Sequence, residues 1–118
     1  MRVWQTIRTP LIARHVHRRA YAALVLSGGY EEAGDSGRHR VQAGNVVLHE
    51  AFEAHLDRIP TLGGVVLNVP LPAQYPFRCG VGLVEDPDAI VRLVECRDSK
   101  AVAVLLWSMD IKEPEFQD

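Results

Sequence analysis

Tyr21-Ala22-Ala23-Leu24-Val25-Leu26-Ser27-Gly28-Gly29 is a continuous apolar run that stops at a serine and two glycines. A run this short, closed by turn residues, reads as a buried strand. The same grammar holds on both sides of it. Val3 to Ile7 alternates, Val46-Val47-Leu48 follows Ala43-Gly44-Asn45, and Val65 to Val69 follows Gly63-Gly64 and stops at Pro70-Leu71-Pro72. Turn signals recur about every 8–12 residues, the spacing of a β-sandwich or barrel. Ala33-Gly34-Asp35-Ser36-Gly37 predicts a hairpin tip, because Gly and Asp tolerate the positive φ of a tight reversal. Neither an internal repeat nor a low-complexity tract interrupts this pattern.

The pattern changes near residue 85. Asp86 can cap a helix, Pro87 suits its first turn, and Asp88 complements the dipole there. Ile90, Val91, Leu93 and Val94 recur at helical spacing. Asp98 or Ser99 can cap a second helix whose apolar stripe is Val102, Leu105, Leu106 and Met109. Two readings of these helices stand side by side: they cover the open end of a barrel, or they form a partner surface or linker. After Asp110 the chain turns polar, without a cap or closing strand, in the manner of a linker to a further domain.

A chain of 118 residues has room for one domain. With 47% hydrophobic and 24% charged residues it is neither disordered nor fibrous. Its longest apolar runs, such as Ala101 to Trp107, fall far short of the roughly 20 residues of a membrane span. Met1 to Thr6 lacks the apolar core and cleavage site of a signal peptide, so the expected compartment is the cytoplasm. A net charge of −2 and a pI near 6.2 argue against a nucleic-acid grip, which favours a pI above about 9. The charge is uneven, with eight Arg against six acids in residues 1–59, and three Arg and two Lys against nine acids in residues 60–118. Cys79 and Cys96 have no CxxC spacing and read as reduced, packed thiols.

His15-x-His17 is the first chemical motif. On a strand, residues i and i+2 share a face, so both imidazoles would enter one cavity. His55 closes the segment Val46 to His55 and supplies a third. Three imidazoles from two strands of a small barrel suit zinc, iron or manganese, with positions open for water or ligand. The competing reading is a metal-free polar pocket whose histidines hydrogen-bond to each other or to Glu53. Glu53 shares a strand face with His55 and is a candidate added ligand or acceptor, against the alternative of an exposed carboxylate. His49 reads as a rim or surface residue if Glu50-Ala51 forms a turn, and His39, between Arg38 and Arg40, reads as solvent-facing. Arg19 can share the face of the histidine pair and hold an anionic effector by bidentate hydrogen bonds, a solvated rim being the alternative for it and for Arg14 and Arg18. Trp4, Tyr30 and Phe52 can wall an apolar pocket or serve as core. Glu31 and Glu32 face opposite ways on a strand and form no shared acid–base site. No Ser-His-Asp set or phosphate loop stands out, so no catalytic residue is assigned.

The histidine spacing resembles that of the cupin family. That pattern begins with a glycine, HxH, a Glu and a later Gly, and continues with Gly, Pro-x-Gly, His and Asn. Here His15, His17, Gly28, Gly44 and His55 match, while Thr9 replaces the first glycine. Tyr21 stands where the Glu belongs and reads as a phenol lining the pocket, Glu50 and Phe52 stand at the Pro and Gly positions, and Ile59 at the Asn position. A closer resemblance covers nearly the whole chain. Arg14 to His17, Tyr21 to Tyr30, Gly44 to His55 and Val66-Leu67-Asn68-Val69-Pro70-Leu71-Pro72 are similar to the N-terminal sensor domain of AraC-type transcription regulators. That resemblance implies a cupin-like barrel ahead of a helical linker and a DNA-binding domain, a ligand-sensing role and dimerisation. It implies no DNA contact by these residues.

The expectation is therefore a mainly β chain: a cupin-like double-stranded β-helix over residues 1–84, then a helical dimerisation or linker segment over 85–118. Its expected function is sensing a small-molecule effector or metal as a homodimer, without membrane contact. The candidate metal ligands are His15, His17 and His55, and the candidate ligand-binding residues are Arg19, Tyr21, Phe52 and Glu53. The alternative is a free-standing metal-dependent cupin enzyme, an isomerase or dioxygenase acting on a small organic acid. A third possibility is a structural dimer module with a packed barrel.

Overall fold

A computed structural model describes residues 4–7, 11–16, 18–34, 37–52, 54–60, 63–72, 79–107, 109 and 111–112. The element order is β1 (Trp4–Ile7), β2 (Leu11–Val16), β3 (Tyr21–Gly34), β4 (Gly37–Gln42), β5 (Asn45–His49), β6 (Ala54–Arg58), β7 (Gly64–Pro70), β8 (Gly80–Leu83), α1 (Pro87–Glu95), α2 (Ser99–Trp107) and β9 (Ile111–Lys112). The chain is mainly antiparallel β with two short helices.

β3, with 14 residues, organises the sheets. Its first half pairs with β5 and β7, continuing to the order β1-β7-β3-β5-β8-β9. Its second half pairs with β4 and β6, and β6 pairs in turn with β2. The strand changes partners at a bulge between Val25 and Ser27. Gly28 follows at φ 67°, and a Cβ there would lie 2.0 Å from the Gly63 carbonyl oxygen. Only glycine serves at that position, both for its backbone angle and for the close approach of the neighbouring chain.

The first sheet is buried on both faces, which is why its strands read as unbroken apolar runs rather than alternating ones. Ala22, Leu24, Val46, Leu48, Leu67 and Val69 pack on one side with Ile90 of α1 and Val102, Ala103 and Leu106 of α2. Tyr21, Ala23, Val25, Val47, Val66 and Val81 face the other way, into a second core shared with Tyr30, Val41 and Ile59. The helices therefore cover a sheet face rather than an open end of the strands. Val104, Leu105 and Trp107 of α2 stay 38–56% exposed, so Leu105 lies outside the expected stripe.

Local signals place the helices. The Asp86 carboxylate accepts a hydrogen bond from Ala89 N at 3.2 Å and Asp98 accepts from Ala101 N at 3.0 Å. Arg97, at φ 59°, turns the chain between them. The expected hairpin is present, with Gly34 paired to Gly37. Three expectations fail here. Ile111 and Lys112 form a closing strand on β8, and Trp4 is half exposed rather than core. Both cysteines are thiols, but Cys96 is exposed rather than packed.

Candidate metal centre

The polar centre of the molecule lies between the two sheets. The second half of β3 turns Tyr30 and Glu32 inward. In the register beside Glu32 stand His39 of β4 and Asp57 of β6, so three polar residues occupy one row of the sheet. From the first sheet, β5 ends on His49, paired with Tyr21 at the start of β3. His55 lies on β6, two residues before Asp57 and on the same face. Glu32, His39, His49, His55 and Asp57 are all at most 6% exposed.

Side-chain geometry draws these groups into one cluster. Glu32 Oε1 is 3.1 Å from His55 Nδ1 and 3.3 Å from His49 Nε2. Asp57 Oδ1 is 3.5 Å from His55 Nδ1. On the other side of the ring, His55 Nε2 is 3.2 Å from the Tyr21 hydroxyl. The Tyr21, His49 and His55 rings stack in series, with centroids 4.5 and 4.4 Å apart. One imidazole is thus held in place by two carboxylates, a phenol and a second imidazole.

Burial alone would keep His55 neutral, but the adjacent Asp57 and Glu32 carboxylates outweigh it and push the ring up to about 10. Burial raises the Glu32 carboxyl, an effect that His49 and His55 partly offset and Asp57 reinforces. Tyr30 is also raised well above the usual phenol value, by burial first and then by Glu32 and Asp57.

Glu32, His49 and His55 are positioned to hold a metal ion, with ligand atoms all within 4.8 Å of one another. Donors 2.0–2.2 Å from a common ion stand about 3 to 3.5 Å apart, the range of the two separations to Glu32. Glu32 Oε1 and Asp57 Oδ1 are buried yet meet no well-aligned hydrogen-bond donor among the described residues. Their nearest neighbours are the ring nitrogens of His55 and His49, and either a protonated imidazole or a metal ion there balances the carboxylate charge. Two histidines and one carboxylate suit zinc or iron(II), and Asp57, beside His55, is placed to orient that ligand.

Of the residues expected from the sequence, His55 is in the cluster and Tyr21 lines it as a phenol. His15 is placed by backbone register only, directly across from His55 in the β2–β6 pair. His17 and Glu53 lie outside the described residues. Arg19 is exposed on the segment leading into β3, where it borders a groove beside the helices. Phe52 does not line the space between the sheets: it is 69% exposed at φ 64° in the turn between β5 and β6.

Two further expectations are corrected. His49 is buried, because the turn begins after it and leaves it on the strand. His39 is buried as well, because in the alternation of β4 its arginine neighbours are the outward residues. Glu31 and Glu32 do face opposite ways, with Glu31 outside, 4.0 Å from Arg38. Within the hairpin the alternation sets Tyr30, Glu32 and Gly34 in one inward row, but only the bulge upstream decides that this row faces the histidines.

No family model matches this chain, and no curated protein is similar enough to it to count as a match. Among the described residues no helix is long and apolar enough to cross a membrane.

Proposed function

We propose that this chain is a sensing module of the kind that the AraC-type resemblance implies: a cupin-like barrel that holds a divalent transition metal at Glu32, His49 and His55. The observation that carries this reading is the buried two-histidine, one-carboxylate set, whose ligand atoms all lie within 4.8 Å of one another. Three protein ligands leave positions on the ion for water or for a donor atom of a small-molecule effector. The bound metal would supply Lewis acidity and a fixed positive charge there. The chain's own contribution is to exclude water with the apolar core around Tyr30, Val41 and Ile59 and to orient His55 through Asp57 and Tyr21. Occupancy acts on the helices only through unequal affinity for their arrangements. The same sheet that carries Tyr21 and His49 on its inner face carries α1 and α2 on its outer face, which gives a short physical route. Dimerisation through Val104, Leu105 and Trp107 belongs to this reading.

The test is metal content and its consequence. Elemental analysis of the purified chain should give about one zinc, iron or manganese ion per chain, removed by chelator. Hydrogen exchange should then speed up in β3, β5 and β6 on metal removal and change in α1 and α2. A chain that takes up no metal, or whose helices exchange identically with and without it, overturns the sensing reading. The open positions on a three-ligand ion also favour the enzyme alternative, a cupin isomerase or dioxygenase. Turnover of a small organic acid by the iron-loaded chain would decide for it.

A further inference from the structure

A second binding region lies on the other side of the first sheet from the metal cluster. Val69 and Pro70 at the end of β7, with Pro72 beyond, form one wall of a groove of about 450 Å³. Val94 of α1 and Val102 of α2 form the opposite wall. Val69 and Val102 belong to the helix-side core, whereas Tyr21 belongs to the core between the sheets, so the groove and the metal cluster are separated by the sheet itself. The two prolines make the outer wall stiff.

The same groove is lined by Arg19 and Ser99, both exposed. Arg19 is exposed and forms an ion pair with no carboxylate among the described residues. A guanidinium with open donors beside valine and proline side chains matches a carboxylate on an apolar body. The volume is that of a small-molecule site and not of a polypeptide interface. We propose that this groove binds a small organic anion, its carboxylate on Arg19 and Ser99 and its apolar part between β7 and the two helices.

The site rests on the sensing reading only for its regulatory meaning. An occupant touches β7, α1 and α2 at once, so it favours the arrangement that keeps all three together. The effector of such a module would then seat between sheet and helices, while the metal sits inside the barrel.

The test uses sodium octanoate and octanol as probes, followed by amide chemical shifts of the labelled chain. Octanoate should move the amides of Arg19, Val94, Ser99 and Val102 saturably. It should bind about tenfold more tightly than octanol, the worth of one charge-assisted pair. Arg19→Gln should remove that advantage and leave octanol unchanged. Ser99→Trp, at an exposed first residue of α2, should block both probes without disturbing the core. Equal binding of the two probes, an unchanged preference in Arg19→Gln, or shifts confined to Val104, Leu105 and Trp107 overturns the proposal. Metal content is measured on the same samples. A metal-free chain that binds octanoate here overturns the barrel reading and supports the groove, and a metal-loaded chain that does not bind it does the reverse.

Discussion

In the metal-free chain the cluster predicts an inverted pH dependence of stability. His55, 3% exposed, has its pKa raised to about 10 from the ordinary 6.5 by Asp57 and Glu32, against the opposing effect of burial. A basic group whose folded pKa is raised contributes stability that is complete below the unfolded pKa. That stability is lost as pH rises through the folded value. A gap of one pH unit between the folded and unfolded pKa is worth roughly 1.4 kcal/mol, so between pH 7 and 9 the His55 contribution falls from about 4 to about 1 kcal/mol. Glu32 is raised too, chiefly by burial, so its titration has the same sign, starting from the unfolded carboxyl range. For a domain of this size the difference lowers Tm by roughly 10 °C. The assay is thermal unfolding of chelator-treated protein at pH 6, 7, 8 and 9. Glu32→Gln and Asp57→Asn serve as controls, and each should flatten the slope because one of the two carboxylates holding the proton is gone. A Tm that stays level from pH 7 to 9, or a full slope in Glu32→Gln, refutes the reasoning. The same proton makes metal binding pH-dependent with the opposite sign. The ion displaces the His55 proton, so affinity should rise about tenfold per pH unit from 7 towards 10, with about one proton released.

Further outcomes follow from particular contacts. His49→Ala and His55→Ala should each cost more metal affinity than Asp57→Asn, which touches only His55 and should cost roughly 10–100-fold; competition against a chromophoric chelator measures all three. Gly28→Ala should destabilise by at least about 2 kcal/mol in urea unfolding, since the residue holds φ 67° and its new Cβ would meet the Gly63 carbonyl oxygen at 2.0 Å. Trp107→Glu should leave the fold intact, because the ring is 55% exposed, and should shift the sedimentation coefficient of any dimer to that of the monomer.

Much of the architecture was legible in the residue pattern. Tyr21 to Leu26, Val46 to Leu48 and Val65 to Val69 lie on strands covered on both faces, and unbroken apolar runs are what such strands require. Asp86, Pro87 and Asp98 marked the helices because caps act over three residues and need no tertiary information. The metal site was harder to read, because it depends on which sheet each strand joins. His15 and His17 are conspicuous as a local pair, whereas among the described residues the cluster is assembled from Glu32, His49 and His55 on three different strands. His49 and His39 were misplaced for related reasons. A turn two residues away, or flanking arginines, looks like surface in one dimension, but the alternation of the strand decides the side.

β3 shows why counting alone could not have put Glu32 beside the histidines. Tyr21, Ala23 and Val25 point between the sheets, and strict alternation from them would carry Glu31 inward and Glu32 out. The bulge between Val25 and Ser27 adds one residue and reverses the phase, so Tyr30 and Glu32 face in, while Glu31 is left outside with Arg38. One inserted residue therefore does three things at once. It bends β3 from one sheet to the other, it brings Tyr21 and Glu32 of a single strand to the two sides of His55, and it selects which of two adjacent glutamates is buried. A buried carboxylate with nothing to neutralise it would be costly at that position. The two imidazoles that meet Glu32 there are what make the reversed phase tolerable, and they are also what makes the position fit to hold an ion.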